Sequence, residues 1–120
     1  MELKVVGRDA EGLRLAALGE IRQAGFQMNP DPLRSLLGEQ GYASPIILGM
    51  AGVTFIDSSG IGWLLKCHKR TREAGGRFVV HSLPPSLIDV IKMMRLDQVL
   101  KIAESESAAM TVSESEGVHP

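Results

Sequence analysis

Residues 53–62 read VTFIDSSGIG, a run of β-favouring residues followed by a polar turn and two glycines. The first four lead into the turn from the apolar run IILGMAG at 46–52, which suits a strand buried on both faces. A helical spacing of apolar residues follows the glycines as far as about Ala74. Asp57, Ser58 and Ser59 stand between the two patterns, where their oxygens can accept hydrogen bonds from the free N–H groups of the first helical turn. The stretch therefore predicts a strand, a tight turn and a capped helix.

Strands and helices alternate on both sides of this junction. Upstream, the pattern predicts a hairpin of residues 3–8 and 13–18 around a polar turn, an unassigned stretch at 19–28, a helix from the caps at 29–32 to about Gln40, and a strand after Pro45. Downstream, it predicts a strand at 77–83, a helix from Pro84, a strand at 99–102 and a short helix at 104–110. This alternation is typical of an α/β fold with crossover connections.

Within the helices, the spacing predicts which side chains face the core. Leu33, Leu36 and Leu37 share one face of the first helix, and Leu87, Ile88, Ile91 and Met94 share one face of the helix that follows Pro84.

The composition is that of one ordinary globular domain. The chain has 120 residues, of which 44% are apolar and 22% charged, with a formal net charge of −1. It has one Trp, one Tyr and three Phe and no motif of a nucleic-acid module, so we expect no nucleic-acid partner. We expect residues 1–112 to form the domain and residues 113–120 to form a flexible acidic tail.

Cysteine usage and hydropathy exclude further classes. Cys67 is the only cysteine, which rules out an intramolecular disulfide and argues against a cysteine-based metal site; a buried, inert thiol is the better interpretation. No segment approaches the roughly 18 apolar residues that a membrane span needs, and the charged N-terminus lacks the apolar region of a signal peptide. We therefore expect a cytoplasmic protein without membrane insertion.

The two serines allow three interpretations. A helix cap is the simplest, and removing one costs about 1 kcal/mol. A nucleophile would need a general base and the G-x-S-x-G turn of hydrolases, whereas this turn reads Ile-Asp-Ser-Ser-Gly and none of the three histidines has an evident catalytic partner. A serine could instead be the substrate of another enzyme, because Gly60 and Gly62 carry no side chains and allow close approach. Phosphorylation would then add about −1.5 to −2 charges beside Asp57.

The sequence around this turn resembles the STAS domain of bacterial anti-sigma factor antagonists. The resemblance runs from about Leu3 to Met110, and its most specific part is F-I-D-S-S-G-I-G, followed by an amphipathic helix, Gly-Gly, a strand and a helix ending in R-L-D. It implies a single α/β domain, a small mixed β-sheet with helices packed mainly on one side. It implies no enzymatic activity and no cofactor.

The resemblance also implies a function, which is partner switching. In that family the unphosphorylated antagonist binds an anti-sigma factor that is also a serine kinase, the kinase phosphorylates the second serine of D-S-S-G, and a metal-dependent phosphatase reverses the modification. By position, Ser59 is the phosphorylated residue and Ser58 its neighbour. The expected partner-binding residues are Asp57, Ser58, Ser59, Gly60, Ile61, Gly62, Trp63 and Lys66.

Two positions depart from the family pattern. Arg22 stands where the family has an Asp in G-E-L-D, and Gly49 stands where the next strand commonly carries another Asp. These departures favour an alternative, in which the chain is a non-phosphorylated STAS scaffold subunit of a transporter or a stress-sensing complex. The intact Asp57-Ser58-Ser59-Gly60 favours the antagonist.

Two further features concern the surface beside the turn. Lys66, Lys69, Arg70 and Arg72 follow on one helix with Glu73 as the acid nearby, a pattern of either a solvated face or a contact for an acidic partner. Trp63 is the only tryptophan, and core packing is the simpler role for it, with an interface anchor as the alternative.

Overall fold

A computed structural model describes residues 1–9 and 12–111. Residues 10 and 11 of the predicted polar turn and the whole acidic tail predicted at 113–120 lie outside the described residues.

Five strands form one mixed sheet in the order β1-β2-β3-β4-β5. Their bounds are β1 Glu2–Asp9, β2 Gly12–Ile21, β3 Pro45–Ile56, β4 Arg77–His81 and β5 Lys101–Ala103. The predicted hairpin is confirmed, because β1 and β2 pair antiparallel. The pairs β2/β3, β3/β4 and β4/β5 are parallel, as crossover connections require.

Helices fill the connections between the parallel strands, and one more helix follows the last strand. They are α1 Gln23–Met28, α2 Pro32–Leu37, α3 Ser58–Glu73, α4 Pro85–Met93 and a last helix, α5, at 106–111. Helix α1 occupies the stretch that the sequence pattern left unassigned. Helix α2 ends earlier than predicted, because Gly38 adopts φ 74°, which breaks the helix, and a 3₁₀ segment Glu39–Ala43 follows.

The main core lies on one face of the sheet. Side chains that alternate along the strands, such as Leu15 of β2, Leu48 of β3 and Val80 of β4, are buried there together with residues of α3 and α4. The opposite face buries a smaller cluster, in which Ala109 of α5 packs with Ile47 and Val79. The predicted α/β fold with helices mainly on one side is thus confirmed.

Two side chains predicted to face inward are exposed. Met94 is 54% exposed, because α4 ends at Met93 and Met94 lies just beyond its last turn. Leu36 is 36% exposed, whereas Leu33 on the same short helix is buried. Helix α2 has only six residues, so it buries one leucine fully.

Candidate functional site

Asp57 joins the start of α3 to the end of β2. Its Oδ1 accepts the backbone N–H of Gly60 at 3.0 Å, and its Oδ2 accepts that of Gln23 at 2.9 Å. Its own N–H donates to the carbonyl of Ile21 at 3.1 Å. The backbone N–H donors of Gln23 and Gly60, in that order, hold the pKa of the Asp57 carboxyl below its ordinary value, since they stabilise the charged form. Asp57 is therefore the cap of α3.

The two serines lie on the first turn of α3 and differ in exposure. Ser58 is exposed and Ser59 is half-buried. The backbone N–H of Ser59 also interacts with the Asp57 carboxylate. Because Asp57 supplies the capping oxygen, the structure does not require either hydroxyl as a cap. Both residues follow the carboxyl end of β3 and lie at the positive end of the α3 dipole.

The two glycines of the turn serve different purposes. A Cβ at Gly60 would lie 2.5 Å from Cγ1 of Ile56 and 2.8 Å from the carbonyl oxygen of Ile21. Gly60 is therefore needed for the close packing of α3 on the sheet, a role that sequence reasoning did not assign to it. A Cβ at Gly62 would meet nothing within 4 Å, and this exposed glycine leaves the backbone of α3 open to another molecule.

The structure divides the predicted partner-binding residues into two groups. Gly60, Ile61 and Trp63 are buried, Trp63 being only 5% exposed with its ring centroid 6.0 Å from that of Phe26. Trp63 thus has the core role that was the simpler of its two interpretations. The remaining five lie exposed or half-buried along one edge: Asp57, Ser58, Ser59, Gly62 and Lys66.

An exposed aromatic residue and an arginine complete this edge. Phe55 is 41% exposed, and the guanidinium of Arg22 lies 4.6 Å from the centroid of its ring. Phe55 points outward although Val53, two residues earlier, is buried, because the register shifts between the pairs Gly19↔Val53 and Glu20↔Phe55. The period-2 pattern of a regular strand would bury both, so alternation alone could not reveal Phe55 as a surface residue.

The basic face of α3 is smaller than the sequence suggested. Arg70 forms an ion pair with Asp31, whose other oxygen accepts the hydroxyl proton of Tyr42 at 2.7 Å. Burial, then the hydrogen bond to Asp31, raises the pKa of Tyr42 to about 12. Glu73 is therefore not the only acid close to this helix. The ion pair of Arg70 links α3 to Asp31, the residue that caps α2. Lys66, Lys69 and Arg72 remain exposed.

The structure also accounts for Gly49. This residue pairs with His81 of β4, and a Cβ at Gly49 would lie 2.9 Å from Cε1 of the His81 ring. Nδ1 of His81 lies 2.8 Å from Oγ of Ser82, and burial lowers the pKa of the imidazole. His81 therefore occupies the space that an acidic side chain at position 49 would need.

The described histidines lie far from the serines. His81 is level with Gly49, so the length of β3 as far as Ile56 places it about 20 Å from the turn. His68 is about 13 Å further along α3 than Ser59. Cys67 is 2% exposed, and burial raises the pKa of its thiol, as expected for an inert core residue.

Residues 1–9 and 12–111 contain neither a candidate metal site nor a candidate membrane span. No group of three or more His, Cys, Asp or Glu residues in this part of the chain is arranged to hold a metal ion. Within the same residues, no helix combines the length and the apolar composition of a membrane span.

Comparisons with known proteins give one matching family model and several similar folds. Residues 9–109 match the family model of the STAS domain. The fold is similar to that of a Thermotoga maritima protein named as a candidate anti-sigma factor antagonist, with a TM-score of 0.78, 23% identity and coverage of 94% of this chain and 93% of the other. An anti-sigma-factor antagonist (STAS) domain protein from Planctomyces limnophilus gives a TM-score of 0.73 at 19% identity, with coverage of 93% and 97%.

A third similar structure is the anti-sigma factor antagonist SpoIIAA in its unphosphorylated form. Its TM-score is 0.63 at 19% identity, and the match covers 98% of each chain. Because these identities are below 25%, the three structures show a shared fold alone, and the family match rests on residues 9–109.

Proposed function

This chain belongs to the STAS domain family, and on that premise we propose that it is an anti-sigma factor antagonist that works by partner switching. When unphosphorylated, it binds an anti-sigma factor that is also a serine kinase. Phosphorylation of Ser59 releases the partner, and a metal-dependent serine phosphatase restores binding. ATP and magnesium belong to the kinase, so this chain needs no cofactor and acts in the cytoplasm as a binding module rather than an enzyme, with residues 1–112 as its domain.

The observation that carries the proposal is the geometry of the first turn of α3. Asp57 supplies the capping oxygen, and the exposed Ser58 and half-buried Ser59 follow it on the first turn. The surface that supports partner docking consists of Arg22, Phe55, Asp57, Ser58, Ser59, Gly62 and Lys66, and it is called the docking edge below. A phosphate in the middle of this edge would add about −1.5 to −2 charges and three oxygens, which is enough to disrupt a close interface.

A non-catalytic role is supported by the positions of the candidate bases. His68 and His81 lie too far from Ser58 and Ser59 to accept a proton from either hydroxyl. The Asp57 carboxylate is nearby, but its lowered pKa makes it a weak base.

The scaffold alternative rests on Arg22 and Gly49, which stand where the family usually has acids. It predicts that the docking edge binds a partner without being modified. Packing of Gly49 against His81 gives this departure a structural cause, so the absence of that acid is a weaker argument for the scaffold than Arg22 is.

The two functions are separated by incubating the purified protein with candidate anti-sigma kinases, ATP and magnesium. The partner-switching proposal expects the intact mass to rise by one phosphate mapped to Ser59, abolished in Ser59→Ala and retained in Ser58→Ala. A kinase that binds the protein but leaves both serines unmodified would contradict partner switching and favour the scaffold function.

A further inference from the structure

Arg22 differs from the rest of the docking edge because it is a cation held over an exposed aromatic ring. Its guanidinium lies 4.6 Å from the centroid of Phe55, and its Nε is 2.7 Å from an oxygen of Glu20. The side chains of Arg22 and Glu20 are 51% and 52% exposed, so the ion pair between them is worth little and can be exchanged at low cost.

The backbone places Arg22 next to the first turn of α3. Asp57 accepts the N–H of Gln23, the residue directly after Arg22, with one oxygen and that of Gly60 with the other. A single carboxylate thus spans the distance between residue 23 and the turn that carries Ser59. The charge of Arg22 already acts on this carboxylate, since it helps to lower the pKa of Asp57.

We propose that Arg22 is a phosphate-binding residue of this chain, which leaves Glu20 and pairs with the phosphate of phosphorylated Ser59. This inference rests on the proposed function and deepens it. A guanidinium matches the oxygens of a phosphate in a two-pronged geometry, and a dianion is a stronger partner than the exposed carboxylate of Glu20. The ring of Phe55 supports the guanidinium on one side, so less side-chain freedom is lost when the pair forms.

Such a pair changes how phosphorylation releases a partner. In the unmodified protein, Arg22 is available to an acidic group of the partner at the docking edge. In the phosphorylated protein, the phosphate occupies Arg22, so the partner loses a cationic contact in addition to meeting a new negative charge. The residue that replaces an Asp of the family pattern thereby takes part in the switch.

The test installs phosphoserine at position 59 during translation, so that no kinase is needed. The second pKa of this phosphate is then followed by ³¹P NMR between about pH 4.5 and 8, in the otherwise unchanged protein, in Arg22→Gln and in Arg72→Gln. Arg72→Gln is the matched control, because it removes the same charge from an exposed site about 20 Å further along α3.

Pairing with Arg22 stabilises the dianion, so Arg22→Gln should raise the phosphate pKa by about half a unit while Arg72→Gln leaves it within about 0.1 unit. In the protein that retains Arg22, the NMR signal of its Nε–H should also titrate with the phosphate pKa, a readout that requires no variant. An unchanged pKa in Arg22→Gln, or an equal shift in both variants, would overturn the inference. Either result leaves the kinase assay unaffected, so this proposal and the proposed function can fail separately.

Discussion

The carboxylate of Asp57 accepts the backbone N–H of Gln23 at 2.9 Å, a contact between residues 34 positions apart. The same carboxylate caps α3 through Gly60. One side chain therefore fixes the end of β2, the start of α1 and the first turn of α3 relative to one another. Asp57 lies at the centre of the docking edge, and its two hydrogen bonds hold the helical turn that carries Ser59 next to the end of β2.

This arrangement predicts how stability depends on pH at Asp57. In the folded protein the pKa of Asp57 is lowered from its ordinary 3.8. The carboxylate therefore contributes its full share of the free energy of unfolding above pH 3.8, and this share is lost as the pH falls through the lower folded pKa. We expect Asp57→Asn to be less stable than the unchanged protein at pH 7. The difference between their free energies of unfolding, called the gap here, should narrow below about pH 4. Urea unfolding at several pH values between 7 and 3 measures the gap. A gap that stays constant over this range would contradict the assigned role of the charge.

The two glycines of the turn should respond oppositely to alanine. Gly60→Ala forces a Cβ against Ile56 and the backbone of Ile21, and overpacking of this kind costs about 1–3 kcal/mol. Gly62→Ala enters open space on a helix and should stabilise the protein by up to about 1 kcal/mol. Urea denaturation of both variants gives the comparison. Equal effects of the two substitutions would show that α3 does not pack on β2 as closely as described.

Tyr42 gives a spectroscopic test of the contact between α2 and α3. It is the only tyrosine, so absorbance near 295 nm reports its ionisation alone. The hydroxyl should titrate close to pH 12 while the protein is folded and close to pH 10 once it is unfolded in urea. Because the folded pKa is raised, the stabilisation it represents is complete below about pH 10 and is lost at higher pH. Asp31→Asn should lower the pH at which Tyr42 of the folded protein is half ionised. If that pH does not change, the hydrogen bond to Asp31 is not a cause of the raised pKa.

Substitutions at three basic residues of α3 should have different effects, because two of the residues are exposed lysines and the third, Arg70, forms an ion pair with Asp31. Lys66→Gln and Lys69→Gln should each slow association with an acidic partner about twofold to fivefold at low salt, with little change in dissociation. Arg70→Gln removes the same charge but breaks the ion pair with Asp31, so it should cost up to about 1 kcal/mol of stability. Stopped-flow association and urea unfolding are the two measurements. If the lysine variants lose as much stability as Arg70→Gln, then Lys66 and Lys69 also stabilise the fold and are not only surface charges.

Restoring an acid at position 49 should require space at His81. Gly49→Asp alone places a Cβ 2.9 Å from the imidazole and should destabilise the sheet by about 1–3 kcal/mol. Combining it with His81→Ala removes the obstacle, so the double variant should be more stable than the sum of the two single effects predicts. Thermal unfolding of the four proteins completes the cycle. Strict additivity would show that the two side chains do not compete for the same space.

The local features of this protein follow from short stretches of sequence. The hairpin, the buried strand that starts at Pro45, the polar turn and the amphipathic helix after it each depend on residues within a few positions of one another, where propensity and periodicity act. For the same reason, the position of Ser59 on a first helical turn and the burial of Cys67 could be predicted. The resemblance of VTFIDSSGIG and the segments after it to the STAS domain supplied the rest of the architecture.

Contacts between distant residues were decided only by the tertiary structure. Asp31 and Arg70 are 39 positions apart, Phe55 is turned outward by a register shift against β2, and Gly60 is required because Ile21 lies beneath it. Nothing near these residues in the sequence encodes such partners, since each depends on which surfaces meet when the helices pack on the sheet. The sequence alone therefore determined where the serines lie along the chain, whereas the packing of α3 on β2 and β3 determined which neighbours surround them.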